Sequence, residues 1–313
     1  MVHEYSVSVI LPCYNDAPLI VGAIQSVLAQ TFPVREILVI DDGSSDNTKD
    51  VILQFGDRIR YFRQEHRGVA HARNLGLRNA VGELVAFIDT DDRWYFRKLE
   101  VQCRYLEKDS SLAMIGTDQS YSFDFQSVVI PQGEVSPTVV PFQDLIVKNR
   151  FLNSSIVIRK EVLESTGEFS TSIPLSSDYE YWLRVAEFFK VANVPLPLTS
   201  RIRSWNTFSS HPEKAFSCGL QIIKGLEDRG HWRGHRLLKQ KAKALLWYSS
   251  SLLNDEAGNR GKAFLCLFFS CLNYPLPFKC GDTRNHFARL RRFVALARGN
   301  VHERIVAKRL ETR

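Results

Sequence analysis

The six cysteines of this 313-residue chain, at positions 13, 103, 218, 266, 271 and 280, form no CxxC pair. That scatter argues against a disulfide framework and a cysteine-ligated zinc site, and a reducing compartment is the expected setting. No basic leader precedes the first apolar segment, so a signal peptide is not expected. The longest apolar run, AFLCLFFSCL at 263–272, falls well short of the ~20 residues that cross a bilayer. No GxGxxG follows the first β-rich segment, and neither GxxxxGKS nor GxxxxGKT occurs. A dinucleotide oxidoreductase and a P-loop NTPase are therefore disfavoured. Internal repeats and low-complexity tracts are also missing. The expectation is a cytoplasmic protein, peripheral at most to the cytoplasmic face of a membrane.

What is present suffices for a large core. Apolar residues make up 44% of the chain, with 20 Phe, 10 Tyr and 5 Trp, and this rules out global disorder. The net charge of +7 hides an asymmetry. Residues 1–200 hold 19 Lys and Arg against 26 Asp and Glu, whereas residues 201–313 hold 22 against 8. An acidic front and a basic tail point to two functional regions.

Four short Val/Ile/Leu-rich segments, 6–11, 36–40, 59–63 and 83–88, are mostly not strictly alternating. Parallel strands covered on both faces have that pattern. Helical spacing separates them: Ile20, Ile24, Val27 and Leu28 after a capping Asp16; a helix over 48–55 with Ser44, Ser45 and Asp46 as caps; and Val69, Ala72, Leu75 and Ala80. The alternation predicts an α/β fold with right-handed crossovers. A helix is expected from after Asp92 to about Lys108, strands over 113–116 and 154–158, and a helix over 179–189. From about 215 the pattern is helical, interrupted at Gly258 and Gly261 and again at Tyr274-Pro275-Leu276-Pro277.

Ligands of open parallel sheets sit beyond the carboxyl ends of the strands. Strand one ends in Pro12-Cys13-Tyr14-Asn15, strand two in Asp41-Asp42-Gly43-Ser44-Ser45-Asp46, and strand four in Asp89-Thr90-Asp91-Asp92. Five carboxylates (41, 42, 89, 91, 92) thus converge on one edge. Such crowding is costly unless a cation shares it, and oxygen-only ligands select Mg²⁺ or Mn²⁺, which also bind phosphates. An ordinary solvated acidic turn remains open for Asp89–Asp92, and helix capping for Asp41 and Asp42. Arg73, just inside a helix that follows Gly68, is expected to hold a base carbonyl or a phosphate, or to pair with Asp41 or Asp42. His66 and His71 as metal ligands is a weaker reading.

The segments VSVILPCYN, EILVIDDGSSDNT, GVAHARNLGLRNAVGELVAFIDTDD and SDYEYWLRVAE, in this order, resemble family 2 glycosyltransferases over about residues 5–210. The resemblance implies a GT-A fold: a mostly parallel, Rossmann-like sheet flanked by helices, with a C-terminal helical extension. It implies a catalytic domain at 1–210 and a basic helical region at 211–313. The activity implied is inverting transfer of a sugar from a nucleotide-diphosphate donor, by default a UDP-sugar, to a hydroxyl of a glycan or lipid-linked acceptor in bacterial surface-polysaccharide synthesis. Pro12, Tyr14, Asn15, Asp41, Asp42 and Arg73 would line the nucleotide pocket. Asp89-Thr90-Asp91 matches the family's DxD, with Asp89 and Asp91 at an Mn²⁺ or Mg²⁺ ion. Asp178 matches the catalytic base, though Ser177 stands where many members have Glu. Trp182 and Arg184 match a structural aromatic-then-Arg helix. Arg201-Ile202-Arg203 replaces an Arg-x-His, so Arg201 and Arg203 become the residues expected to clamp the diphosphate.

Two other readings stay open at this stage. A sugar-nucleotide nucleotidyltransferase also places carboxylates on an α/β sheet, but Pro12–Asn15 lacks its Gly-rich loop. A non-catalytic glycan- or nucleotide-binding scaffold would not need Asp91 and Asp178. In the tail, Lys239, Lys241 and Lys243, Arg289, Arg291 and Arg292 accompany the Phe-rich run. That run is either the core of a small helical domain or an interfacial anchor for anionic lipid. Nucleic-acid binding is not expected, since no such motif is present.

Overall fold

The computed structural model describes residues 5–120, 135–201, 211–276 and 288–297. The chain divides into two compact units, Met1–Leu145 with Asn149–Ser204, and Ile146–Lys148 with Trp205–Arg313. Residue 210, the expected limit of the first domain, lies outside the described residues.

The first unit begins β1 (Val7–Cys13), α1 (Ala17–Leu28), β2 (Glu36–Asp41), α2 (Thr48–Leu53), β3 (Arg60–Arg63), α3 (Val69–Asn79), β4 (Leu84–Phe87). Every residue of β1 is buried, as a strand covered on both faces requires. On α1 the buried positions Ile20, Ala23, Ile24 and Val27 form one stripe against the core. Gly68 opens α3 with φ +95, in the left-handed region that glycine tolerates. One helical face later, a Cβ on Gly76 would come within 2.5 Å of Ile10 Cγ2, so only glycine lets α3 lie this close to β1.

The unit continues β5 (Asp92–Trp94), α4 (Lys98–Lys108), β6 (Leu112–Ser120), β7 (Thr138–Val139), α5 (Phe142–Val147, whose last two residues fall in the second unit), β8 (Val157–Arg159), α6 (Leu163–Thr166), α7 (Ser177–Phe188), β9 (Lys190–Arg201). Among the described residues, nine strands join one sheet in the order β3-β2-β1-β4-β8-β6-β9-β5, with β7 also on β9. The half from β3 to β4 is wholly parallel, as the alternating pattern predicts. Beyond β4 the sheet is mixed: β8 is antiparallel to β4 and β6, β6 and β9 are parallel, and β5 and β7 run antiparallel to β9.

One element departs from expectation, and another had no reading in the sequence. The helix expected from after Asp92 begins only at Lys98, because Asp92–Trp94 pairs with Thr199–Arg201 as a short strand. The twelve-residue β9 contains Pro195 and Pro197, which in sequence speak against a strand. Here Val194, Leu196 and Leu198 are buried, Pro195 is exposed, and the β6–β9 ladder shifts register around the prolines, so the missing N–H groups fall where the ladder is irregular.

The second unit holds α8 (Pro212–Asp228), α9 (Arg236–Glu256), α10 (Arg260–Asn273) and α11 (Ala288–Ala297). Gly258, at φ +79, separates α9 from α10, as its position in the sequence implies. Ala244, Leu245, Tyr248, Leu267 and Ala288 form a buried cluster. Of the Phe-rich run, Ala263, Cys266, Leu267 and Ser270 face inward, while Phe264, Leu265, Phe268 and Leu272 are exposed. The core reading of this run thus holds for one helical face only. No helix among the described residues is long and apolar enough to cross a membrane.

Candidate functional site

The strand directions decide where the polar residues meet. β6 and β4 both run against β8, so they run the same way, and β9 is parallel to β6. The carboxyl ends of β1, β2, β4 and β9 therefore open on one edge. Tyr14–Asp16, Asp41–Asp42, Asp89–Asp92 and Arg201 leave from those four ends.

At the end of β1, Pro12 is buried in the strand and Tyr14 is 42% exposed, its ring stacked on His66 at 4.0 Å. Asn15 adopts φ 54, a left-handed turn that Asn tolerates. Its Oδ1 accepts the Ser45 N–H at 2.8 Å and the Asp46 N–H at 3.3 Å, which fastens the β2 loop to the β1 loop.

Asp41 and Asp42 are both sealed by donors. Asp41 is fully buried; its Oδ1 accepts the Ser44 N–H at 2.8 Å and its Oδ2 the Tyr61 hydroxyl at 2.7 Å. Burial alone would raise its pKa, but these hydrogen bonds and Arg63 hold it below the ordinary value. Asp42 accepts Gln64 Nε2 at 2.6 Å and the backbone N–H groups of Arg67 and Gly68 at 2.9 and 2.8 Å, with His66 Nδ1 at 3.0 Å. In this structure Asp42 shapes the loop leading into α3, and Asp41 holds the turn after β2. Ahead of the helix after β2, Asp46 Oδ1 accepts the Thr48 N–H at 3.0 Å, while the N-cap residue Asn47 makes no side-chain capping bond.

The partner of Arg73 is Asp89, rather than the expected Asp41 or Asp42. Arg73 is 6% exposed, and its Nη2 lies 2.9 Å from Asp89 Oδ1. Its guanidinium also lies over the Phe169 ring, 5.6 Å from the centroid, and its Nε has no hydrogen-bond partner among the described residues. Asp89 Oδ1 accepts a second bond from Asn153 Nδ2 at 3.0 Å, and the Asp89 N–H donates to Ser154 Oγ at 2.9 Å. Asn153 and Ser154 lie on a 3₁₀ turn, Asn153–Ser155, that leads into β8. Sequence reasoning missed both, since only the antiparallel docking of β8 on β4 brings them to Asp89.

Thr90 is buried, Asp91 is partly exposed and Asp92 is almost fully buried. Burial, then Asp89, pushes the Asp91 carboxyl up to about 6, with Asp16 adding and Arg201 opposing. Burial, Asp89 and Asp91 push Asp92 far above the ordinary range, and its Oδ1 has no hydrogen-bond partner among the described residues. Asp16, expected only as a helix cap, makes no capping bond from its side chain. It accepts the Tyr14 N–H at 3.1 Å and a bond from Thr90, and burial, then Asp46 and Asp89, raises it. Asp16 is thus a further carboxylate of the edge, and its role as a cap in the sequence masked it.

Arg201 faces Asp92 in the β5–β9 register and acts electrostatically on Asp91 and Asp92. Arg203 lies outside the described residues. Asp178, in the first turn of α7, is half-buried; burial raises its carboxyl, Arg73 opposes this and Asp89 adds to it. Arg73 and Asp89 thus connect Asp178 to the β4 carboxylates. Trp182 is fully buried in the same helix, and Arg184 holds Glu180 at 2.7 Å and the Glu168 carbonyl at 2.6 Å, which fixes α7 in place.

Among the described residues, no three His, Cys, Asp or Glu side chains are grouped to hold a metal ion. The edge offers oxygen donors, a carboxylate raised by its neighbours and an orphaned carboxylate oxygen. This chemistry fits a hard divalent cation that takes one or two carboxylates and completes its shell with water and phosphate.

Comparison with known proteins agrees with this architecture. The fold matches that of TarS residues 1–349 from S. aureus (TM-score 0.61, 18% identity, 86% of this chain and 81% of that one). It also matches mannosyltransferase PcManGT from Pyrobaculum calidifontis (TM-score 0.62, 20% identity, 94% and 80%). Residues 8–160 match the model of the family described as glycosyl transferase family 2. Some curated relatives are much longer: the chain spans 19% of an uncharacterized glycosyltransferase of Rickettsia felis, at 45% identity over 35% of this chain. The Escherichia coli protein WfgD, a UDP-Glc:alpha-D-GlcNAc-diphosphoundecaprenol beta-1,3-glucosyltransferase, is 35% identical over 58% of this chain and 70% of its own length. A similarity of that extent, on this fold and through these strand ends, makes the chain a member of glycosyl transferase family 2.

Proposed function

We propose that the chain transfers a sugar from a nucleotide-diphosphate donor to a hydroxyl of a glycan or lipid-linked acceptor, with inversion at the anomeric carbon. The observation that supports this most is the pairing of Asp91, whose carboxyl is raised beside Asp89 at the β4 end, with a separate raised carboxylate, Asp178, linked to Asp89 through Arg73. Inversion by direct displacement asks for those two provisions: one side receives the charge of the departing diphosphate, and the other takes a proton from the attacking hydroxyl.

Asp89 and Asp91 would hold an Mn²⁺ or Mg²⁺ ion. When bound, the cation supplies Lewis-acid stabilisation of the leaving diphosphate. Arg201, with Arg203, clamps the diphosphate oxygens. Tyr14, stacked on His66 and exposed, offers a ring face to the base, and Pro12, Asn15, Asp41, Asp42 and Arg73 set the walls of the nucleotide pocket. Thr90 holds Asp16 against the cluster. Asp178 accepts the hydroxyl proton at its carboxylate, and its raised pKa makes it the stronger base near neutral pH. The catalytic domain is assigned to residues 1–210 and the basic helical region to 211–313.

A uridine-type donor and a surface-polysaccharide product are supported by similarity. WfgD is named for UDP-Glc and a diphosphoundecaprenol acceptor, and the 31%-identical TuaG of Bacillus subtilis for teichuronic acid biosynthesis. TarS has been solved with UDP and with UDP-GlcNAc, and PcManGT with GDP-Man and Mn²⁺. The test is a thermal-shift panel of UDP-, GDP- and dTDP-sugars with Mn²⁺, because a ligand bound only by the folded state raises Tm. A UDP-sugar that stabilises the wild type with Mn²⁺, and fails to stabilise Asp91→Ala, supports the reading. A panel without any stabilisation overturns it.

A further inference from the structure

The second unit exposes an apolar stripe that its own core does not use. On α10, Phe264 (39% exposed), Leu265 (52%), Phe268 (48%) and Leu272 (65%) recur at helical spacing on one side. On α11, Leu290 and Val294 are exposed on either side of Phe293, whose ring lies 4.3 Å from that of Phe264. The two stripes therefore meet. Arg289 fixes the helices to one another: its Nη1 donates to the Ser270 and Tyr274 carbonyls at 2.9 and 2.7 Å, and its Nη2 to Leu276 O at 2.6 Å. Arg292 ties α11 to α9 through Asp255 at 3.1 Å.

The charge beside this stripe has one sign. α10 and α11 carry Arg260, Lys262, Arg289, Arg291 and Arg292 and no carboxylate. Arg260, Lys262 and Arg291 are exposed next to the apolar positions, with Lys262 also reaching Glu213 at 2.5 Å. Residues 201–313 as a whole hold 22 cations against 8 carboxylates. A second copy of the chain would bring the same positive charge to such a face. An anionic bilayer supplies both apolar depth and the opposite charge.

We propose that the α10–α11 face, centred on Leu265 and Phe268, docks in the plane of an anionic phospholipid surface. The apolar side chains enter the headgroup–acyl boundary, and Arg260, Lys262 and Arg291 lie among the lipid phosphates. No donor or acceptor is needed for this, so its failure is distinct from failure of the transferase reading.

The experiment is co-sedimentation of the full chain with vesicles of phosphatidylcholine alone or with about one-third phosphatidylglycerol. The expected result is salt-sensitive binding to the anionic vesicles, at least about tenfold above the neutral ones. The double variant Leu265→Gln/Phe268→Gln should lose about tenfold in partitioning while keeping its Tm. Leu272→Gln, near the helix end, serves if the double variant does not fold. Absence of vesicle binding by the wild type overturns the proposal. Equal binding by wild type and folded variants overturns it too. So does a dimer in sedimentation velocity that the variants dissolve while vesicle binding is missing.

Discussion

Arg73 Nη2 lies 2.9 Å from Asp89 Oδ1, and the same guanidinium lowers the raised carboxyl of Asp178. One buried cation thus acts on both Asp89 and the proposed base. Gly76 makes this arrangement feasible by letting α3 lie against β1. Replacing Arg73 by Met keeps the apolar contact with Phe169 and removes the charge. The loss should approach the lower end of the ~3–5 kcal/mol expected for breaking a buried pair, since Asp89 is about one-third exposed. Urea unfolding of Arg73→Met against wild type measures it; an unchanged midpoint would mean that the pair contributes nothing.

Asp178→Asn keeps the shape of the side chain and removes its ability to take a proton. Donor binding should stay within about twofold, while turnover falls by at least about a hundredfold. Single-turnover kinetics with a donor identified by the thermal-shift panel give the answer. Near-normal turnover removes Asp178 from the role of base.

One part of the pH dependence of the metal-free protein follows from Asp91. Its carboxyl is raised to about 6 in the folded chain, so the folded state holds a proton that the unfolded chain releases near pH ~3.9. The stability this group contributes is fully present below pH ~3.9 and is lost as pH rises through 6. Asp91→Asn removes that dependence. In EDTA the variant should therefore melt above wild type at pH 7, with the gap closing toward pH ~4. Mn²⁺ at pH 7 should raise the wild-type Tm and leave the variant behind. A gap that does not change with pH would contradict the crowding of the carboxylates.

Lys98 is fully buried at the start of α4, with its Nζ 4.1 Å from the centroid of the Trp94 ring and no hydrogen-bond partner among the described residues. Burial pushes its amine far below the ordinary range, so the folded chain binds fewer protons than the unfolded one. Its contribution to stability is lost as pH falls, and recovers as pH rises toward the unfolded value near ~10.4. Lys98→Met fills similar space without the amine. It should raise Tm at pH 6 by more than at pH 9, as differential scanning calorimetry of both proteins would show. A lower Tm at pH 6 would mean that the contact with Trp94 outweighs desolvation.

The parallel half of the sheet was legible in the sequence because its signals are local. The apolar runs of β1, β2 and β4 are strand-length and buried on both faces, and α1 and α3 carry helical spacing. The acidic residues could be assigned to one edge for the same reason: each follows its own strand. Beyond β4 the local signals still locate β6 and α7, and part of β8, but they miss β5 and β9. β9 is a strand despite two prolines, because β6, β5 and β7 pair with it on both sides of them. Asp92–Trp94 is a strand only because residues about a hundred positions later lie beside it.

Sequence by itself determined the order of the β-α-β units, the acidic strand ends and the basic tail, since each is written in neighbouring residues. Tertiary structure alone decided that Arg73 pairs with Asp89, that Asn153 and Ser154 support that carboxylate, that Asp16 joins the cluster, and that one face of α10 is core while the other is open. Those outcomes depend on which strands become neighbours and which helical face meets another helix. A residue's chemistry can be read along the chain, but its partner is set by contacts between segments far apart in it.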